Sequence, residues 1–182
     1  MPARGSVEGD ERIRLFCGLR LPDDALDALE RWQQTLEAGR RVGRDNLHLT
    51  LAFLGHRPRA DAELVARELR GACAAAAPIQ LTPRGYRETR SVGMLVLDDA
   101  DGHATALAAD LHGRLARLGV YEPEARPWLP HVTVLRFRER PRLRPALPEL
   151  GRFAPSDAAV FLSRLSPHGA RYEVLDAVPL GG

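Results

Sequence analysis

Polar and apolar residues alternate along two well-separated segments of the chain. In the first segment, residues 46–55, every second residue is large and apolar: Leu47, Leu49, Leu51 and Phe53. His48 and Thr50 lie between them, and His131 and Thr133 alternate with valines in the second segment, residues 130–137. Because side chains in a strand point alternately to opposite faces, this spacing predicts two strands that each bury an apolar face. The other face of each strand then carries one histidine and one threonine.

Apolar residues recur at helical spacing in three other segments. The predicted helices run from Pro22 to a stop at Gly39, over 60–77 and over 102–118. Helix 60–77 is expected to bury four side chains: Leu64, Val65, Leu69 and Cys73. Further strands are predicted over 13–19, 79–86, 92–98, 153–164 and 171–178.

The order of these elements predicts an α+β fold, because helices and strands do not alternate strictly. Each half of the chain offers a helix followed by a strand with a His-x-Thr tripeptide, which indicates a weak internal duplication. We therefore expect a bilobal protein with pseudo-twofold duplicated antiparallel sheets, flanked by helices, and a central cleft. Residues 11–182 are predicted to form this single two-lobed domain, and residues 1–10 a flexible N-terminal tail.

Composition is that of an ordinary globular domain, with 45% hydrophobic and 27% charged residues. The formal net charge of +2 is lower than that of a typical duplex-coating protein, yet it permits a local basic groove. The chain has no lysine, so all 26 positive side chains are arginine. This excludes chemistry that needs a lysine nucleophile, such as a lysyl-adenylate or a Schiff base.

Potential metal ligands do not cluster in the sequence. Cys17 and Cys73 lie in apolar or alanine-rich stretches, where buried and reduced thiols are expected. Asp98, Asp99 and Asp101 precede a predicted helix, where carboxylates cap the backbone and complement the helix dipole. We therefore expect neither a metal ion nor a cofactor.

The chain shows no apolar segment of the kind that targets or anchors a protein at a membrane. Its first residues are MPARGSVEGDE, which lack the apolar stretch of a signal peptide. No apolar run approaches the length of a membrane span. We expect a cytoplasmic protein with no membrane partner, and a monomer, since no stretch predicts an unusually apolar exposed surface.

The two His-x-Thr tripeptides together suit acid–base chemistry. A histidine with an ordinary pKa of about 6.5 can take up or release a proton at neutral pH, so two histidines that face one cleft can serve as a general acid and a general base. A threonine two residues beyond each histidine points the same way. The remaining histidines lack such partners and are predicted at the surface, with His56 a candidate for the cleft rim: His56, His103, His112 and His168.

The segments NLHLTLAFLG and PHVTVLRF resemble the two signatures of the 2H phosphoesterase superfamily, and within it the RNA 2′,3′-cyclic phosphodiesterase family, also called 2′-5′ RNA ligase. The resemblance extends from Ile13 to Val178. It includes Arg14-Leu15-Phe16, Leu21-Pro22, Arg44-Asp45-Asn46, the run from Leu162 to Ser166, and Tyr172. The chain departs from the family at Trp128-Leu129, just before the second motif, and at Tyr86, near a common phenylalanine.

The resemblance implies a role for each motif residue. His48 would be the general acid, His131 the general base that activates water, and Thr50, Thr133 and Arg136 the phosphate-binding groups. Tyr86 and Trp128 become candidates for contacts with a base or the cleft wall. The arginines at 138, 140, 142 and 144 are expected to form a solvated face rather than an RNA track. The residues alone do not decide which histidine is the acid.

The implied reaction is metal-independent hydrolysis of RNA 2′,3′-cyclic phosphate ends to 2′-phosphates. Attack by a 5′-hydroxyl in place of water would make a 2′-5′ linkage, so reversible 2′-5′ ligation is a related activity. The expected partners are RNA 3′ ends or small cyclic nucleotides. Two alternatives stay open. One is a phosphodiesterase of the same superfamily acting on ADP-ribose cyclic phosphate or a 2′-5′ oligonucleotide, and the other is a non-catalytic RNA or nucleotide binder.

Overall fold

A computed structural model describes residues 11–181, so the predicted tail over residues 1–10 lies outside the described part of the chain. The strands are β1 (Arg12–Arg20), β2 (Arg40–Arg41), β3 (His48–Pro58), β4 (Thr82–Glu88), β5 (Val92–Asp98), β6 (His131–Arg136), β7 (Asp157–Ser166) and β8 (Gly169–Val178). The helices are α1 (Asp23–Gln33), α2 (Asp61–Ala75) and α3 (His103–Arg117), and a 3₁₀ turn covers Arg44–Asn46.

The strands form one antiparallel sheet in the order β4-β5-β6-β3-β1-β7-β8, and the short β2 pairs with β6. With three helices beside it, this sheet confirms the predicted α+β class. Its two halves, β4-β5-β6 and β3-β1-β7-β8, meet at β3 and β6, where Leu49 and Val132 form the register pair. Because these residues sit inside the two His-x-Thr motifs, the seam of the sheet brings the motifs side by side.

One face of the sheet packs against the helices and holds the main core. Helix α2 lies against β7 and against α3, and α3 lies against β3. The largest fully buried side chains are all leucines, among them Leu15, Leu49 and Leu135. Each such burial contributes about 1.5–3 kcal/mol. The opposite face carries a small aromatic cluster of Phe16, Phe161 and Tyr172, and it is the face to which the motif histidines point.

Two local predictions are wrong, and one short strand has no counterpart among the predicted elements. Leu64 is 37% exposed rather than buried, because Val65, Leu69 and Cys73 define the buried stripe of α2 and Leu64 lies beside it. Helix α1 ends at Gln33, so Leu36 is buried in the segment after the helix. Strand β2 has only two residues, which are too few to produce a periodic pattern, so the sequence does not predict it.

The predicted burial of both thiols is confirmed, as is a capping role for one of the three aspartates that precede α3. Cys17 and Cys73 are buried free thiols, and burial raises the pKa of Cys73 to about 11, which keeps that thiol protonated at neutral pH. Asp99 caps α3 by accepting hydrogen bonds from the backbone N–H groups of Ala104 (3.2 Å) and Thr105 (2.8 Å). None of the helices within residues 11–181 is both long enough and apolar enough to cross a membrane.

Candidate functional site

A cavity of about 650 Å³ opens on the face of the sheet away from the helices, at the seam between β3 and β6. Five residues singled out from the sequence line it together: His48, Thr50, His131, Thr133 and Arg136. The pairing of Leu49 with Val132 explains this convergence for the histidines and threonines, because residues on either side of a paired position share the opposite face of the sheet. Arg136 joins them because the register of β6 against β5 shifts between Thr133 and Leu135, which breaks the period of two.

The two histidines are held in the same way. His48 Nδ1 lies 2.7 Å from the carbonyl oxygen of Asn46, and His131 Nδ1 lies 2.8 Å from that of Leu129. A carbonyl oxygen can only accept, so each Nδ1 carries a proton and donates it. In each ring Nε2 is then the atom left to accept or give a proton, which is the arrangement that acid–base chemistry requires.

His48 is electrostatically distinct. Its ring packs against Phe16, with centroids 4.8 Å apart, and against Tyr172, with centroids 5.3 Å apart. This burial is the main cause that lowers the pKa of His48 to about 4, and it outweighs the hydrogen bond to the Asn46 carbonyl, which favours the charged ring. The charges of His131 and Arg136 lower the pKa further by smaller amounts. In the free protein His48 is therefore neutral at pH 7, and the Thr50 hydroxyl donates to its Nε2 over 2.9 Å.

Gly18 on β1 makes room for the His48 ring. A Cβ at this position would lie 2.7 Å from the carbonyl oxygen of Leu49 and 3.3 Å from the His48 ring. Only glycine lets β1 approach the first motif this closely.

Positive charge surrounds the cavity. Four arginines line it: Arg14, Arg40, Arg41 and Arg136. No carboxylate of residues 11–181 lies within 4.0 Å of any of the four, and no aspartate or glutamate is among the lining residues. The cavity therefore has a positive local potential that favours binding of an anion, although the net charge of the whole chain is small. Across the described part of the chain, no group of three His, Cys, Asp or Glu side chains could hold a metal ion.

Phe53 lies in the cavity, and the prediction that it faces the core is wrong. Its side chain is 50% exposed, and the Arg14 guanidinium sits 5.5 Å from the centre of its ring. The register of β3 against β1 shifts between Cys17 and Gly18 and again between Leu15 and Phe16. The first of these shifts falls between Thr50 and Ala52 and breaks the period of two, so Phe53 joins His48 and Thr50 on the cavity face.

The two predicted aromatic contacts occupy other places. Tyr86 packs edge-on against Trp32 and donates to Glu88 over 3.1 Å, and it does not line the cavity. Glu88 also accepts from the backbone of Arg142 and Leu143, so Tyr86 helps to hold the arginine-rich connection after β6. Trp128 donates its indole N–H to the Thr50 carbonyl over 3.0 Å and lines a neighbouring cavity.

The remaining histidines divide into exposed and half-buried rings. His56 is exposed and does not line the cavity, whereas the exposed His168 lies at its rim, where the Arg40 guanidinium donates to the His168 carbonyl. The surface prediction is wrong for His112, which is half-buried and whose Nε2 donates to the Leu51 carbonyl over 2.7 Å. His103 is also only partly exposed.

Comparison with known proteins places the chain in a family. The family model described as "2′-5′ RNA ligase superfamily" matches residues 21–165. The RNA 2′,3′-cyclic phosphodiesterase of Escherichia coli (strain K12) is 35% identical over 130 residues, which cover 69% of this chain and 73% of that protein.

Solved structures share the fold. The crystal structure of TT0787 from Thermus thermophilus has a TM-score of 0.80 at 26% identity, covering 93% of this chain and 99% of that one. The crystal structure of E. coli LigT in complex with 3′-AMP has a TM-score of 0.78 at 26% identity, covering 94% and 100%. With its paired motifs, its cavity and these matches, the chain belongs to the 2′-5′ RNA ligase superfamily.

Proposed function

We propose that this protein hydrolyses RNA 2′,3′-cyclic phosphate ends to 2′-phosphates by acid–base catalysis between His48 and His131, without a metal ion. The observation that carries the proposal is the pair of identically held histidines, which share one cavity with four arginines that no carboxylate of residues 11–181 neutralises. The activity in the name of the E. coli relative supports the choice of substrate, as does the 3′-AMP bound to LigT.

In the proposed reaction, His131 Nε2 takes a proton from water as the water oxygen attacks phosphorus. The bond from phosphorus to the 3′ oxygen breaks, and His48 Nε2 gives this oxygen its proton. His48 must therefore be protonated when substrate is bound, although it is neutral in the free protein. An anionic phosphodiester beside the ring favours the charged imidazolium and supplies the required rise in pKa.

Thr50, Thr133 and Arg136 are the proposed phosphate ligands. Thr50 donates to His48 Nε2 when the cavity is empty, and it can turn to a phosphate oxygen when His48 gains its proton. Arg136 has no carboxylate partner within residues 11–181 and is close enough to lower the pKa of His48. It can therefore stabilise the negative charge that grows on the phosphorane-like transition state. Every group in this scheme comes from one chain, which supports action as a monomer.

The direct test is product analysis with an oligonucleotide that ends in a 2′,3′-cyclic phosphate. We expect a 2′-phosphate product in the presence of EDTA, because neither histidine needs a metal ion to transfer a proton. A chain that bound the oligonucleotide without turnover would be a binder, and a 3′-phosphate product would require a different leaving oxygen. Either result would refute the proposal.

The pH dependence of kcat/KM gives a second prediction. For a 2′,3′-cyclic mononucleotide, the acidic limb should have its midpoint near pH 4 rather than near 6.5, because kcat/KM reports the groups of the free enzyme. This midpoint does not depend on which histidine donates the proton, because assigning the acid to His48 or to His131 gives the same dependence of kcat/KM on pH. In kcat the limb should lie at higher pH, because bound phosphate raises the pKa of His48.

Folding must be followed over the same pH range. The lowered pKa of His48 means that the unfolded chain binds more protons than the folded chain between about pH 6.5 and 4, so the fold loses stability as the pH falls through this window. Circular dichroism at each pH separates this loss from catalysis. A limb near pH 6.5 in a fully folded protein would contradict the assigned state of His48.

A further inference from the structure

A second cavity, of about 620 Å³, adjoins the first and shares Thr50 and His131 with it. Its aromatic wall is fixed to the first motif strand. The Trp128 indole donates to the Thr50 carbonyl over 3.0 Å, and His112 donates to the Leu51 carbonyl over 2.7 Å. His112 in turn stacks on Tyr121, with ring centroids 4.8 Å apart and planes inclined by 30°. Rings held in this way offer flat surfaces beside the reacting atoms, suited to a nucleoside.

Charge distinguishes this cavity from a third one, of about 710 Å³, which adjoins the first at His48. In this third cavity, Arg20 is paired with Asp157, and Arg44 is paired with three carboxylates of α1, so both cations are neutralised. In the cavity beside His131, Arg126 is paired with Glu124 over 3.6 Å, whereas Arg87 is exposed and has no carboxylate within 4.0 Å in the described part of the chain. The cavity beside His131 therefore offers an arginine that is free to bind a further phosphate.

We propose that the cavity beside His131 is an acceptor-strand subsite, which holds the nucleoside whose 5′ oxygen attacks the cyclic phosphate or leaves when a 2′-5′ linkage is opened. This inference rests on the proposed function, in which His131 serves the attacking oxygen. In-line attack places that oxygen on the His131 side of phosphorus, so any strand attached to it must continue through this cavity. Arg87 then meets the next phosphate of the acceptor strand.

The chemical step is balanced without any further reactant. In ligation, the acceptor 5′ oxygen bonds to phosphorus and its proton passes to His131 Nε2. The bond from phosphorus to the 3′ oxygen breaks, and that oxygen takes a proton from His48 Nε2. The product is a 2′-5′ phosphodiester with a free 3′-hydroxyl. In the reverse direction the 3′ oxygen attacks, and His131 returns the proton to the departing 5′ oxygen.

The test compares Arg87→Ala with the wild-type protein on three substrates. The first is a 2′,3′-cyclic mononucleotide, the second a 2′-5′-linked dinucleoside monophosphate, and the third the same dinucleotide extended by one 3′-5′-linked nucleotide on its acceptor side. We expect KM to rise about tenfold for the third substrate alone, because only this one carries a phosphate for Arg87. Arg84→Ala is the matched control, since Arg84 is an exposed arginine of the same strand that lines none of the three cavities.

The outcomes separate this inference from the proposed function. If the wild-type protein fails to open the cyclic mononucleotide, the proposed function itself fails. If it opens that substrate but never forms or cleaves a 2′-5′ bond, only the subsite is refuted. Equal KM values for Arg87→Ala and Arg84→Ala on the extended substrate would refute it as well. A selective rise in KM for Arg87→Ala, with cyclic mononucleotide hydrolysis unchanged, would establish the subsite.

Discussion

Replacing His131 or His48 by alanine should lower kcat/KM for a 2′,3′-cyclic mononucleotide by roughly a thousandfold in each case, since a positioned acid or base contributes about 10²–10⁴. Each substitution removes one Nε2 from the cavity and leaves water to carry that proton. The double variant should lose little more than the poorer single variant, because the two histidines act in one transition state and their effects do not add. Steady-state kinetics at a fixed pH measures all three losses.

His56→Ala is the matched control for both substitutions. His56 lies on the same strand as His48, is exposed, and does not line the cavity, so its loss should leave kcat/KM within about twofold of the wild type. Thermal unfolding of each variant tests whether the fold is intact. Near-full activity in either His48→Ala or His131→Ala would remove that histidine from the mechanism.

The pairing of Leu49 with Val132 shows why the centre of the site could be predicted from the sequence. A period of two fixes which face each motif residue occupies, and two similar strands in a duplicated layout have a natural place beside one another. His48, Thr50, His131 and Thr133 depend on nothing beyond this local pattern. The α+β class follows from the order of elements in the same way, without knowledge of any long-range contact.

Phe53 and Arg40 show where such prediction stops. Phe53 enters the cavity because β3 is bulged against β1, and a bulge depends on the partner strand rather than on the alternation within one segment. Arg40 reaches the cavity through a two-residue strand and holds the turn at His168, which is distant in sequence. Neither contact produces a periodic pattern of polar and apolar residues from which it could be predicted.

The charge of the cavity was also hidden from the sequence, because it depends on which arginines are paired. Arg20 and Arg44 lie close in sequence to Arg14 and Arg40, respectively. Of these four arginines, Arg20 and Arg44 pair with carboxylates, and Arg14 and Arg40 have no carboxylate partner among the described residues. Counting charges gives a net charge of +2 for the whole chain and no indication of where the remaining cations gather. The fold concentrates four arginines around two histidines, and this makes the cavity specific for an anion.

Arg136→Ala should lower kcat for the cyclic mononucleotide by roughly 10²–10³, the loss found when one donor to a transition-state oxyanion is removed. Arg136→Lys should retain an intermediate rate, because an ammonium group supplies charge but lacks the planar fork that binds two oxygens at once. The same charge lowers the pKa of His48. Because burial and the charge of His131 contribute more to this lowering, the removal of Arg136 should move the acidic limb of kcat/KM only slightly above pH 4, and Arg136→Lys should leave the limb nearly in place.

Arg138→Ala separates these effects from a general loss of positive charge. Arg138 is an exposed arginine two residues beyond Arg136, and it lines a neighbouring surface rather than the catalytic cavity. With a mononucleotide substrate, its removal should change neither kcat nor the acidic limb. If kcat stayed constant in Arg136→Ala, Arg136 would not stabilise the transition state, even if the limb moved. A loss of kcat in Arg136→Ala that Arg136→Lys partly restores, with Arg138→Ala unchanged, is the result that places the guanidinium on the reacting phosphate.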